Sequence, residues 1–212
     1  MLIPTPIYPI IPITSDVYPP SEDTFLLLDA LEDEFDFLNS LNPSIILEVG
    51  PGSGVCITAL TKIFPNSLAA AVDINSSACT CSKQTATMNN TVVDLLNGDL
   101  LSSIHTPADL ILFNPPYVPT EQDECSSAQS LGHLDAAWAG GIDGFHITES
   151  FLCDLPRVLD GCGVCYMVIM EENGFSRIKS LLNNHGLNCV LVKSKGNAFE
   201  KLSIIKIKWA NC

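Results

Sequence analysis

The sequence predicts an α/β fold, a mostly parallel sheet with helices on both faces, and three observations predict it. Short apolar runs alternate with helix-length segments along the chain. One run, Ser44 to Val49, passes through Gly50-Pro-Gly-Ser-Gly54 into a helix from Val55 to Phe64. Another, Leu110 to Phe113, stops at Asn114-Pro115-Pro116-Tyr117, where two prolines end any ladder and turn the chain out of the sheet. In open sheets of this class, ligands sit at that end of the strands.

The first fourteen residues are apolar but carry Pro4, Pro6, Pro9 and Pro12, with no positive region ahead of them. They read as neither a signal peptide nor a membrane span, but as an extended arm over residues 1–15 before a single domain at 16–212. In Asp16-Val-Tyr-Pro-Pro-Ser-Glu-Asp-Thr24, Ser21 is an N-cap, and Glu22 and Asp23 suit a first helical turn. Phe25, Leu26, Leu28 and Leu31 carry the apolar face of a helix to about Leu38. On their own terms Tyr18 and Thr24 are packing and capping residues.

Asn42-Pro43 breaks the chain before the first strand. The glycines at 50, 52 and 54 let the backbone approach a nucleotide-type ligand closely. Their spacing departs from G-x-G-x-x-G, which disfavours a nicotinamide dinucleotide. Leu68 to Val72 is the second strand, and Asp73 at its end can accept hydrogen bonds from both hydroxyls of a ribose. Asn75 caps a helix running to about Asn89. Thr91 to Leu96 is the third strand, followed by Gly98-Asp99-Leu100, where Asp99 can accept an exocyclic amine. Taken singly, Asp73 and Asp99 are loop carboxylates as readily as ligands. At the ends of successive strands beside a glycine loop, the ligand reading is favoured.

The tetrad has specific chemistry. A planar amide or exocyclic-amine nitrogen has a delocalised lone pair and is a poor nucleophile. The side-chain oxygen of Asn114 and the carbonyl of Pro115 are two acceptors for its two N–H groups, and Tyr117 can pack on the planar group. Aiming the nitrogen at an electrophile is then a problem of positioning. The plainer alternative is a proline-rich turn with a helix-capping Asn; its place after an apolar strand argues against that.

Val118 to Trp138 reads as a long polar loop containing Glu121-Gln-Asp-Glu124, a substrate flap rather than a linker. A helix from Asp143 to Leu159, a strand from Val164 to Met170 and a helix from Ser176 to Asn184 follow. Cys189 to Lys193 and Leu202 to Lys208 form a final hairpin at the sheet edge.

Charge and cysteine content bound the function. Ten Lys and Arg face 24 Asp and Glu in 212 residues, a formal net charge of -14. No basic run offsets this, so duplex nucleic acid is disfavoured and a basic protein partner or substrate fits better. Nine cysteines, an odd number scattered through predicted strands and helices, do not form a secreted disulfide framework. Cys162-Gly-Val-Cys165 has zinc spacing, but no second pair completes a set and no metal site is expected. A reduced compartment follows, the cytoplasm first and the nucleus second, with no membrane association.

Together these motifs resemble class I S-adenosylmethionine-dependent methyltransferases. More narrowly, Val17 to Thr24, Glu48-Val-Gly-Pro-Gly-Ser-Gly54, Asp73-Ile-Asn75, Phe113-Asn-Pro-Pro-Tyr-Val118 and Ala137-Trp-Ala-Gly-Gly141 look like the eukaryotic and archaeal HemK-type release-factor glutamine methyltransferases. The resemblance covers Asp16 to about Lys208. It departs at Pro19, where the family usually has Glu, and at Pro51, where it has a small residue and where proline removes a loop N–H.

The resemblance implies a Rossmann-like, seven-stranded, mostly parallel sheet with a C-terminal antiparallel strand. It implies S-adenosyl-L-methionine held by Thr24, Glu48, Gly50, Gly52, Asp73, Asp99, Leu100 and Asn114, with Asp73 on the ribose and Asp99 and Leu100 on the adenine. Asn114, Pro115, Pro116 and Tyr117 would bind the substrate amide, with Asn114, Pro115 and Tyr117 catalytic. The implied substrate is the glutamine of a Gly-Gly-Gln loop in a class I translation termination factor, with a histone lysine as a further target. An adenine methyltransferase on DNA or RNA and a non-catalytic cofactor-binding scaffold are the alternatives; the acidic balance opposes the first and the intact motifs the second.

The resemblance also implies a small zinc-binding activator subunit. The third strand lies at a sheet edge in this fold type and carries one charge and no Pro or Lys, so it invites pairing with another chain. Replacing Val93 with Lys is expected to break that heterodimer and spare the site. The alternative cover is the N-terminal arm folding back over the edge.

Overall fold

The structure, a computed structural model, describes residues 3–12, 15–121, 134–170, 174–196 and 201–211. Its strands are β1 Ile45–Val49, β2 Leu68–Asp73, β3 Asp94–Asn97, β4 Ala108–Phe113, β5 Leu159–Met170, β6 Leu187–Gly196 and β7 Lys201–Trp209. They form one sheet in the order β3-β2-β1-β4-β5-β7-β6. β1 to β5 run parallel, β7 is antiparallel to β5 and β6, and the β6–β7 hairpin closes the far edge.

The helices are α1 Glu22–Asp33, α2 Phe35–Leu41, α3 Val55–Ile63, α4 Ser76–Met88, α5 His146–Val158 and α6 Phe175–Asn184. Buried residues of α1 to α4 share a core with one face of the sheet, including Ile46, Leu110 and Tyr166. Those of α5 and α6 share the other, with Leu47, Phe113 and Met167. Both faces are covered, so the central strands read as continuous apolar runs rather than alternating ones.

Register places the site. Val49 lies opposite Val72 on one side and Phe113 on the other, and Asp73 lies opposite Asn97. The carboxyl ends of β1 to β4 are therefore level. The order reverses between β1 and β4, the switch point where such sheets open a crevice.

Three expectations need correcting. The single helix to about Leu38 is two helices broken at Glu34, whose φ of -92° and ψ of 9° leave helical geometry. Glu34 is held from the sheet below, accepting from the Tyr166 hydroxyl at 2.9 Å and from the Lys206 ammonium. The third strand begins at Asp94 rather than Thr91, because Thr91 N–H still bonds Ala86 C=O at the end of α4. Val93, expected at the exposed edge, is 8% exposed and sits in the core beneath the α1–α4 face. Lysine there would unfold the core rather than report on a partner.

The arm folds back, but onto α4 rather than β3. Asn89 Oδ1 accepts from Ile7 N–H at 3.1 Å while its Nδ2 donates to Ile7 C=O at 2.6 Å. Among the described residues β3 pairs with β2 and with no other strand.

Candidate active site

A cleft of about 110 Å³ opens at the level strand ends, between the glycine loop, the β2 end and the tetrad. Of the expected residues, Thr24, Glu48, Gly50, Gly52, Asp73, Leu100, Asn114 and Pro116 line it.

The glycine loop turns tightly into α3. Gly54 has a φ of +77°, and a Cβ there would lie 2.6 Å from Ser82 Cα, so only glycine lets α3 meet α4. Gly52 N–H donates to Asp73 Oδ2 at 3.2 Å, and Asn75 N–H donates to Asp73 Oδ1 at 2.9 Å. The strand-end carboxylate is thus fixed by one donor on each oxygen and still faces the cleft, with burial holding its pKa above the usual range. Asn75 caps α4 as expected, accepting from Ser77 N–H at 2.8 Å. It also donates to Asp16 C=O at 2.6 Å, drawing the segment before α1 across the cleft.

Glu48 is buried at the end of β1, and its Oε2 accepts from Ile57 N–H at 2.8 Å. Burial pushes its pKa up to about 8; the Ile57 bond opposes this and the Asp73 charge adds to it. Cys56, also lining the cleft, is held as a neutral thiol by burial first and by the Glu48 charge second, so it is no nucleophile here.

The tetrad follows β4 directly. Asn114 Oδ1 is buried and has no hydrogen-bond partner among the described residues. An acceptor left open in this way costs about 1–3 kcal/mol, which a ligand donating an N–H would recover. Pro115 and Pro116 are buried. A Cβ on Gly140 would lie 2.8 Å from the Pro116 oxygen and 2.7 Å from Gly144 Cα. The tetrad is therefore backed by the Trp138–Gly141 segment, which accounts for a motif with no role assigned from sequence. The expected flap lies largely in residues 122–133, outside the described residues. Its base is tied by Val118 N–H to Trp138 C=O at 2.9 Å and Gly140 N–H to Val118 C=O at 2.8 Å.

Pro115, Tyr117 and Asp99 stand outside the cleft lining. Asp99 is exposed on the turn after β3, while Leu100 beside it, at a φ of +45°, faces in. Tyr117 reaches back to α1, its hydroxyl 3.3 Å from Asp23 Oδ2. Asp23 is a cleft residue that sequence reasoning missed. Expected only as an acid of a first helical turn, it is buried, lines the cleft, and also accepts from Thr24 N–H at 2.7 Å. Its one sequence signal was its place within the Val17–Thr24 motif. Asp16, Asp23, Glu48 and Asp73 line the cleft with no Lys, Arg or His among the described lining residues.

Comparison with known proteins points the same way. A family model described as the methyltransferase small domain matches residues 22–135. The chain is 38% identical over 198 residues to Methyltransferase HEMK2 of Homo sapiens, covering 91% of this chain and 89% of that protein. It is 37% identical over 211 residues to the eRF1 methyltransferase catalytic subunit mtq2 of Schizosaccharomyces pombe, covering 91% and 89%. Among solved structures it resembles a chain of the E. cuniculi Mtq2-Trm112 complex, described as responsible for methylation of the eRF1 translation termination factor. That match has a TM-score of 0.68 and 26% identity, covering 92% of this chain and 99% of that one.

Proposed function

The chain belongs to the methyltransferase small-domain family and, within it, to the HemK-type release-factor glutamine methyltransferases; from that premise we propose that it methylates the side-chain amide nitrogen of a protein glutamine. The substrate is the glutamine of a Gly-Gly-Gln loop in a class I translation termination factor. The methyl donor is S-adenosyl-L-methionine, which supplies a methyl group on a positively charged sulfur.

The residues present fit that donor. Asp73, fixed by Gly52 and Asn75, offers a carboxylate to paired ribose hydroxyls. The glycine loop leaves room for close approach, and a cleft lined by carboxylates without a cation suits a ligand bearing positive charge. Glu48 and Thr24 complete the wall. Leu100 contributes an apolar contact for the adenine, and a role for Asp99 there requires its exposed carboxylate to turn inward.

The observation that carries the reading is the buried, unpartnered Oδ1 of Asn114 at the cleft wall. It accepts one amide N–H and orients the nitrogen toward the methyl carbon; Pro115 lies outside the cleft lining, so its carbonyl serves as the second acceptor only if the turn shifts as substrate binds. Bound there, the donor would supply its methyl group to that nitrogen, its sulfur keeping the electron pair of the broken S–C bond and the nitrogen releasing one proton to solvent. The carboxylate-lined cleft opposes a phosphate backbone, so an adenine in nucleic acid is the weaker reading. Transfer to a histone lysine is a further target of the same site, and the cytoplasm, with the nucleus second, is the proposed place of action.

The proposed partner is a small zinc-binding activator that adds a strand to β3, whose outer edge has no strand partner among the described residues. The test is a transfer assay on purified termination factor and histones, alone and with the activator, read by peptide mass. Methylation of the Gly-Gly-Gln glutamine is expected; its absence with both proteins present overturns the reading.

A further inference from the structure

The turn after β2 carries the acid that faces the donor, and a residue outside the cleft holds that turn from behind. β2 and β3 pair as far as Asp73 opposite Asn97, and the ladder ends there. Past it, Asn97 Nδ2 donates to two main-chain carbonyls of the turn, Asp73 C=O at 2.9 Å and Ile74 C=O at 2.9 Å. Two acceptors require an NH₂ group, so the carboxamide has one orientation here. Asn97 is exposed and does not line the cleft, whereas Asp73 and Ile74 both do.

One peptide plane links that contact to the cleft. The Ile74 C=O and the Asn75 N–H belong to the same unit, which is planar and trans, so the two groups point in opposite directions. Asn97 draws the carbonyl toward β3, and the N–H on the far side is thereby aimed at Asp73 Oδ1, 2.9 Å away. Among the described residues no other donor reaches the Ile74 carbonyl. Without Asn97 the plane is free to tilt, and the N–H that fixes one oxygen of the carboxylate tilts with it. The other oxygen keeps only Gly52 N–H at 3.2 Å, the longer of the two bonds.

The Asp73 carbonyl is held differently. It takes Gly98 N–H at 3.0 Å as well as Asn97, so the end of β2 stays anchored when the side chain is lost. Losing Asn97 therefore acts on one peptide plane and one carboxylate rather than on the pairing of the strands. A role confined to closing the ladder would steady β3 and leave the carboxylate alone. The Ile74–Asn75 plane opposes that plainer role, because its two ends are occupied by Asn97 and by the Asp73 carboxylate.

We propose that Asn97 is a positioning residue for the methyl donor, acting through the Ile74–Asn75 peptide to set the direction of the Asp73 carboxylate toward the ribose hydroxyls. The inference rests on the donor reading above and adds to it a residue that touches neither donor nor substrate.

The test is affinity for S-adenosyl-L-methionine by calorimetry on the full chain, alone and with the activator. Asn97→Ala should weaken it about three- to tenfold, the worth of one neutral hydrogen bond. In an Asp73→Ala background the same change should cost less than about twofold, because the group it acts through is gone. Asn97→Asp is equal in size but has no donor for either carbonyl, and should weaken binding at least as much as alanine. The Asn75 amide proton should move upfield in Asn97→Ala, a signal that a purely stabilising role would leave in place. If the alanine variant does not fold, Asn97→Gln, which displaces the same NH₂ group by one methylene, should show the affinity loss and the amide shift. If the unaltered chain binds no donor with or without the activator, the donor reading itself fails and this inference with it. If it binds and the Asn97 variants bind as tightly, lose the same factor with and without Asp73, or leave the Asn75 proton unmoved, the positioning role is overturned while the donor reading stands.

Discussion

The Tyr117 hydroxyl lies 3.3 Å from the Asp23 carboxylate, across 94 residues of sequence. The contact ties the first turn of α1 to the tetrad after β4, and so ties one wall of the cleft to the group that grips the substrate. Asp23 holds Thr24 by the same carboxylate, with its N–H at 2.7 Å and its Oγ1 at 3.3 Å.

Tyr117→Phe should therefore lower kcat about tenfold and stability by about 1 kcal/mol, the net worth of one side-chain hydrogen bond. A double-mutant cycle with Asp23→Asn should give a coupling of about 0.5–3 kcal/mol. Additive effects in transfer rate and in urea denaturation would show that the pair does not act as a unit.

Asn114→Ala should reduce transfer on the order of 100-fold while leaving donor binding largely intact, because it removes an orienting acceptor rather than the pocket that holds the donor. Single-turnover kinetics beside calorimetry separates the two. Near-wild-type turnover would remove Asn114 from the mechanism.

Asp73→Ala should weaken S-adenosyl-L-methionine by about 2–3 kcal/mol, since a charged acceptor for two hydroxyls is lost. Nicotinamide dinucleotides should not bind measurably to either form. Calorimetry showing unchanged donor affinity would reassign the ribose contact.

Glu48 should make stability fall with rising pH. Its pKa rises from 4.5 to about 8 on folding, so the folded chain holds a proton that the unfolded chain releases. The contribution is intact below about 4.5 and is lost progressively as pH climbs toward about 8, by at most about 1.4 kcal/mol per unit. Asp73, also raised by burial, acts in the same direction. Urea denaturation of the ligand-free chain across this window should show the loss, and Glu48→Gln should flatten it. An equally steep profile in the variant would place the proton elsewhere.

Gly140→Ala should disturb the tetrad from behind, because the added methyl would meet the Pro116 oxygen at 2.8 Å and Gly144 Cα at 2.7 Å. A loss of about 1–3 kcal/mol in stability and a fall in kcat with donor affinity retained are expected. Full activity would mean that the Trp138–Gly141 segment yields and does not position the tetrad.

What the sequence determined by itself was local. The glycine loop, the acid at the end of β2, the Asn75 cap and the proline stop after β4 are each dictated by backbone chemistry within a few residues. All four lie where that chemistry puts them, and with the alternating apolar runs they specify the fold class. The tertiary structure decided what depends on distant partners. Glu34 breaks the first helix because it is held by Tyr166, 132 residues away. Asp23 is buried because Tyr117 and Thr24 satisfy it, and Gly140 matters because Pro116 packs against it. Val93 points inward and Val92 outward because successive residues of the chain leading into β3 face opposite ways, and only the placement of α4 shows which face is covered. Asp99 stays in solvent while Leu100 turns in, a choice made by the left-handed turn between them and the cleft. Local propensity carries no information about which side of an element another element will cover.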